Sequence, residues 1–338
     1  MATYYADFDL TTGNNDGTTA ANAWQTMQRA VDGTGGTQPT ANDIVYCKGT
    51  DTLAANLDLD GLSGDGANGL VKWIGVSSLD PVTNDGTRAT LDGVDTYTCT
   101  ATTIDYWSME NFEFTQMAGD GFTGVSSPRY WFFDNCSFNN NSSAGLNPGD
   151  MTGTFFVRCT FYANGTDGIA SSGQNITFIF CSMHDNTGDG LFSSYRQYIH
   201  FIGCLIYDNG DDGIGSIGVG IKFFNCTING NTSHGMRIEN LALLIGNRIT
   251  NQSGTGKYGI YNYAGRVFIS GWNYFEDNDT HIEDASHQIE ILDAGVGTDD
   301  EDNADTNEGY TSKTDGAEDF SLNDSASLRR TAITVPIV

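Results

Sequence analysis

The chain has 338 residues, 15 of them basic and 43 acidic, for a net charge of −28 at neutral pH. A surface of that sign repels polyphosphate, which excludes nucleic acid as a partner. No apolar run reaches the roughly 18 residues of a membrane-spanning helix, and an odd count of seven cysteines does not close a disulfide framework.

Residues 1–43 read as an N-terminal cap. Within it, Trp24, Met27, Ala30 and Val31 fall on one face and predict a helix over about 20–31, suited to covering an open edge of β-structure. Residues 44–285 read as a solenoid. Its first part, 44–105, holds irregular apolar runs such as Ile44-Val45-Tyr46-Cys47 and Val71-Lys72-Trp73-Ile74. From about 106 to 285 the repeat is regular, with three residue columns in phase. Glycine followed by an apolar residue recurs as Gly121-Phe122, Gly145-Leu146, Gly168-Ile169, Gly190-Leu191, Gly213-Ile214, Gly235-Met236 and Gly259-Ile260, at intervals of 22 to 24 residues. Cys136, Cys159, Cys181, Cys204 and Cys226 form a second column, and Asn141, Asn164, Asn186, Asn209 and Asn231 a third, with Asn278 rejoining it. Residues 286–338 form an acidic C-terminal segment and cap.

A fixed period of this length marks a solenoid whose repeats bury their apolar faces against one another. The apolar runs are short, rich in Phe and Ile, and broken by Asn, Asp and Gly, which is strand and turn chemistry. Three short strands per turn describe a parallel β-helix, here of about ten or eleven coils at a rise of about 4.8 Å each. Phe133, Phe156, Phe178, Phe201 and Phe223, three residues before each cysteine, should stack inside it. The asparagine column should bond along the axis at a turn. The glycine column needs either positive φ or space that a Cβ would fill. The cysteine column reads as free buried thiols, which suits a reducing cytoplasm.

The opening Tyr5-Ala6-Asp7-Phe8-Asp9, with Gly13-Asn14-Asn15-Asp16-Gly17-Thr18, Ala23-Trp24-Gln25-Thr26 and Asn42-Asp43-Ile44-Val45-Tyr46, resembles the N-terminal cap of right-handed parallel β-helix proteins of the pectate-lyase-like superfamily. Near the other end, Asp319-Phe320-Ser321-Leu322 and Ser325-Ala326-Ser327-Leu328 are similar to a closing segment of many such proteins. The resemblance implies an all-β, right-handed solenoid with an N-terminal capping helix. It does not fix function, because that superfamily holds lyases, hydrolases, viral tailspikes and proteins without activity.

Met1-Ala2-Thr3 runs straight into the cap, with no apolar leader. A fold at home outside cells but made in a cytoplasm suggests a non-enzymatic structural or adhesive protein of a bacteriophage virion, in a capsid decoration or the tail. Its surroundings would be the virion surface, and its partners other virion subunits in a homo-oligomer, a trimer among the options; secretion is the alternative. The other functional reading is a polysaccharide-degrading enzyme or tailspike working in a groove on the solenoid. For that reading, Asn164-Gly165-Thr166-Asp167-Gly168, Asn209-Gly210-Asp211-Asp212-Gly213, Ser233-His234-Gly235 and Arg237-Ile238-Glu239 resemble, in order, the motifs of polygalacturonase-type glycoside hydrolases. Asp167, Asp189, Asp211, Asp212, His234 and Arg237 are its candidate residues, with paired carboxylates as acid and base. Ser233 and Glu239 depart from that pattern, and Asp120, Asp167, Asp189, Asp212 and His234 all share the ordinary position before the glycine column. A β-eliminating lyase needs a base beside a cationic clamp, and basic residues in the coil are few: Arg129, Arg158, Arg196, Lys222, Arg237, Arg248, Lys257 and Arg266. Aromatics in the turns (Tyr106-Trp107, Tyr130-Trp131, Tyr195 with Tyr198, and Tyr258, Tyr261, Tyr263) offer faces for carbohydrate, although Trp131 falls at an inward position by the column count. No cofactor motif is present. The acidic run with Asp299, Asp300 and Asp302 has the oxygen donors for calcium, without the EF-hand spacing.

Overall fold

The computed structural model describes residues 1–291 apart from 103, 126–127, 150, 172, 194–197, 216–218, 253–255, 265–266, 271–272, 277, 279 and 285–288. The calcium candidates Asp299, Asp300 and Asp302 and the proposed closing segment lie outside the described residues.

Three parallel sheets run the length of the molecule. Sheet A has twelve strands, from Thr3–Asp7 to Ile289–Ile291; sheet B has ten, from Thr50–Thr52 to Tyr274–Glu276; sheet C has ten, from Leu57–Asp58 to Thr280–Asp284. The chain visits A, B and C in turn, so each visit to all three is one coil of a β-helix. A short antiparallel hairpin, Ser78–Leu79 with Val82–Thr83, branches from an early coil.

Strands of three or four residues alternate in and out. Phe178 and Phe201 are buried between half-exposed neighbours on Ile176–Ile179 and Ile199–Ile202. Like residues therefore stack on like. The rings of Phe133, Phe156, Phe178, Phe201 and Phe223 follow one another at 4.8–5.0 Å, within 14° of parallel. A second file, Phe114, Phe138 and Phe161, lies at 4.8 and 4.9 Å and meets the first edge-on. Each ring contact adds about 0.5–1.5 kcal/mol beyond burial. Trp107 and Trp131 belong to this core, with indole N–H groups bonded to Leu62 and Ile104 carbonyls, so they offer no face to a ligand.

Three corners close each coil, and the one between C and A holds Tyr106, Tyr130, Gly153, Asn175, Tyr198 or Gly220 in the left-handed region. Between A and B stands one left-handed residue, such as Asn135, Arg158, Phe180 or Gly203; between B and C another, such as Asn140, Ala163, Asp185 or Asp208. At the corner between B and C the asparagine ladder ties the coils. Asn141, Asn164 and Asn186 each donate Nδ2 to the Oδ1 of the next ladder residue at 2.9–3.0 Å, and also bond a core-strand carbonyl. The glycines that follow need space, not positive φ. A Cβ at Gly121, Gly145, Gly168, Gly190, Gly213 or Gly235 would sit 2.5–2.8 Å from the carbonyl oxygen of the next glycine in the column. All seven cysteines are free and buried.

The cap departs from one continuous helix over 20–31. It is a 3-10 turn, Ala20–Asn22, then a helix, Met27–Asp32. The break falls at Trp24 because its N–H donates to Tyr5 and its carbonyl accepts from Asp7, so strand pairing has already taken the groups a helix would use. Thr26 caps the helix, and the buried Asp51 carboxylate accepts from the Met27 N–H at its positive end. Met27, Ala30 and Val31 close the first coil.

Candidate functional site

The column before the glycines is a second ladder. Asp120 Oδ1 accepts from the Ala144 N–H, Asp167 Oδ1 from Asp189, Asp189 Oδ1 from Asp212, and Asp212 Oδ1 from His234, at 2.8–3.1 Å. His234 Nδ1 then accepts from the Tyr258 N–H at 3.1 Å. Each acceptor thus serves the backbone of the next coil, which explains why this position is polar on most coils, Ala144 being the apolar exception.

Only one oxygen of each carboxylate is used in that way. Ligand oxygens of Asp189, Asp211 and Asp212 converge within 4.8 Å of one another. Asp212 also faces Arg237, whose Nε lies 3.4 Å from Oδ2. Asp189 and Asp212 are 5% and 2% exposed, whereas Asp211 is open to solvent. Burial, and then the charge of Asp212, push the Asp189 carboxyl up to about 8. Burial also raises Asp212, against the pull of the His234 N–H, of His234 itself and of Arg237. Asp167, one coil earlier and half-exposed, is raised by burial as well.

Burial lowers the pKa of His234 more than Asp212 raises it, so the ring is neutral near pH 7. Because Nδ1 accepts a backbone N–H, the proton sits on Nε2. In this arrangement His234 is a hydrogen-bond donor and not a base. Its ring stacks on Tyr258 at 5.0 Å and leans on Tyr261 at 5.1 Å.

The open face beside the cluster is the outside of sheet C. Phe192, Gly215, Arg237 and Tyr261 take the outward position on successive coils. Gly215 has a specific duty: a Cβ there would lie 1.9 Å from Asp189 Oδ2, so only glycine leaves that oxygen its place on the groove floor. Of the residues singled out from sequence, Asp189, Asp211, Asp212 and Arg237 come together, His234 borders them, and Asp167 stands apart by a coil. Sequence reasoning missed Gly215 as a site residue and gave Tyr261 no place beside Arg237. The signal was available, since both follow the glycine–apolar pair by one residue, where the side chain must point outward. Lys257, whose Nζ donates to the Thr232 carbonyl, is a further cation near the mouth.

With sheets and site described, comparison with known proteins becomes informative. The family described as "Right handed beta helix region" matches residues 120–280, the seven regular repeats. The fold is a right-handed parallel β-helix. This β-helix is similar to the crystal structure of pectate lyase Pel9A, with a TM-score of 0.64 and 15% identity over 97% of this chain and 90% of that one. It is similar to the alginate lyase from Paenibacillus sp. str. FPU-7, with a TM-score of 0.58 and 10% identity over 86% and 99%. The A-module of the Azotobacter vinelandii mannuronan C-5 epimerase AlgE4 gives 0.56 and 17% over 86% and 100%. At these identities the likeness is one of fold. Comparison with curated proteins gives no match.

Proposed function

We propose that this β-helix acts on an acidic, uronate-type polysaccharide lying across the outside of sheet C, with a calcium ion held by Asp189, Asp211 and Asp212. The convergence of those three carboxylates, two of them buried, beside Arg237 carries the reading. Three hard oxygen donors on adjacent coils suit Ca²⁺, and a divalent cation would relieve a buried repulsion that otherwise keeps Asp189 protonated near pH 7. A chain of net charge −28 has particular need of it. A cation and Arg237 together give a polyanion something to bind on an acidic surface. Pectate, alginate and mannuronan, for which the similar structures are named, are polymers of this kind.

When bound, the cation would supply charge that steadies a uronate carboxylate while its α-proton is lost. Arg237 would pair with that carboxylate, and His234 would orient the sugar through its Nε2–H. Tyr261, next to Arg237 in register, is the group available as base: its Oη, having given its own proton to solvent, would take the C5 proton and hand it to the C4 glycosidic oxygen as the C4–O bond breaks and the C4–C5 double bond forms. Hydrolysis fits less well. Asp189 and Asp212 are too buried to reach a glycosidic oxygen, and an acid–base pair needs room for a sugar between its members.

A second reading, a non-enzymatic adhesive part of a bacteriophage virion, is favoured by the ladder itself. Asp167, Asp189 and Asp212 already hold backbone N–H groups of the next coil, so the column has a use without turnover. Incubation with polygalacturonate and with alginate, in calcium and in EDTA, separates the two. The lyase reading expects calcium-dependent unsaturated uronate, reduced about a hundredfold or more in Asp211→Asn and Tyr261→Phe. Calcium-dependent binding of an intact polymer would support the adhesive reading, and neither binding nor cleavage would contradict both.

A further inference from the structure

The outside of sheet A changes character part-way along the axis. One outward column begins with carboxylates, Glu110 and then Asp134, and continues in register as Val157, Ile179, Ile202, Phe224 and Ile245. The five strands Phe155–Val157, Ile176–Ile179, Ile199–Ile202, Ile221–Phe224 and Ala242–Ile245, with the corner residues after each, contain no Asp or Glu. On a chain with 43 acidic residues, these strands are a stretch that carboxylates leave clear.

The same face is apolar and open. Phe180 is 60% exposed and Phe155 45%, and Leu205, 48% exposed, starts the adjoining strand of sheet B. Phe180 holds a left-handed corner with φ of 54°, and its ring lies where a Cβ on Gly203 would come within 2.6 Å. The glycine on the next coil thus gives the ring a flat bed facing solvent. Among the described residues, the remaining charges on these five strands and their corners are cationic: Arg158, which pairs with Asp134, and Lys222.

We infer that this face is where two copies of the chain associate, side by side, about a two-fold axis. Nearer the N-terminal end of the same column, Glu110 and Asp134 would set carboxylates of one copy against those of the other, whereas here aliphatic and aromatic side chains meet without repulsion between acids. Five strands and one corner offer roughly 600 Å² per copy, the lower end of a specific interface, so the pair is reversible and micromolar. A self-complementary patch closes as a pair about a two-fold axis.

Sedimentation equilibrium from about 1 to about 300 µM tests this, since a micromolar pair dissociates within that range. The native chain should show a monomer–dimer equilibrium that tightens as salt screens the net charge. Phe180→Asp and Ile202→Asp, both outward and each confirmed as folded by circular dichroism, should weaken it at least about tenfold. A native chain that stays monomeric throughout, whatever else binds the face, overturns the inference, as does a dimer that both variants leave unchanged or that salt disperses.

Discussion

Asp189 shows how one side chain serves two purposes. Its Oδ1 holds the Asp212 N–H, and its Oδ2 faces the groove over Gly215. Burial, followed by the charge of Asp212, lifts its folded pKa from 3.8 to about 8. Between those values the unfolded chain has released a proton that the folded chain keeps, so folding stability falls as pH rises and levels off above about 8. In EDTA the melting temperature should drop by several degrees from about pH 5 to about pH 8.5. Asp189→Asn, which preserves the acceptor, should flatten that slope, and calcium should restore the loss for the native chain; a thermal melt at each pH checks all three. Gly215→Ala should abolish calcium rescue, since its added methyl would lie 1.9 Å from Asp189 Oδ2 and 2.8 Å from Cγ and so displace that carboxylate. Asp189 and Asp212 were readable in sequence because they share the column before the glycines, and Asp211 because it stands beside Asp212 in the Asp-Asp-Gly run. Gly215 and the pairing of Arg237 with Tyr261 were harder to read, because they depend on which face of a three-residue strand points outward.

Among elements, the corners decide the architecture. Gly213 has ordinary φ, yet a Cβ would lie 2.6 Å from the Gly235 carbonyl oxygen and 2.7 Å from Asn231 Nδ2. Gly213→Ala should therefore destabilise the chain by about 1–3 kcal/mol through overpacking, read as a shift in urea midpoint at unchanged slope. The sequence columns of Phe, Cys, Asn and Gly were legible because parallel coils in register demand like above like. The cap was legible only in part. The spacing of Trp24, Met27, Ala30 and Val31 is that of one helix face, but backbone pairing of Trp24 with Tyr5 and Asp7 is a tertiary choice that periodicity cannot reveal. The glycine column likewise left open a choice between dihedral freedom and space, which the approach of the next coil resolves in favour of space.

At the scale of the whole molecule, a solenoid's stability is close to a sum over nearest neighbours. Deleting residues 137–159, one coil from Ser137 to Cys159, removes one member of each stack and rejoins strands in phase. That variant should fold and melt cooperatively within several degrees of the parent, whereas deleting about half a coil should abolish folding, because it shifts every later column out of register. Circular dichroism melts distinguish the two. On the proposed reading, charge sets the terms of both contacts: a polyanion would be met through a cation beside Arg237, and a second copy where carboxylates are absent. The most direct measurement is calorimetric titration of calcium into the native chain and into Asp211→Asn, which alters the exposed member of the triad and no ladder bond. One saturable site with proton release in the native chain, weakened about tenfold or more in the variant, is the predicted result. Absence of calcium binding in the native chain, or equal binding in both, would contradict the account.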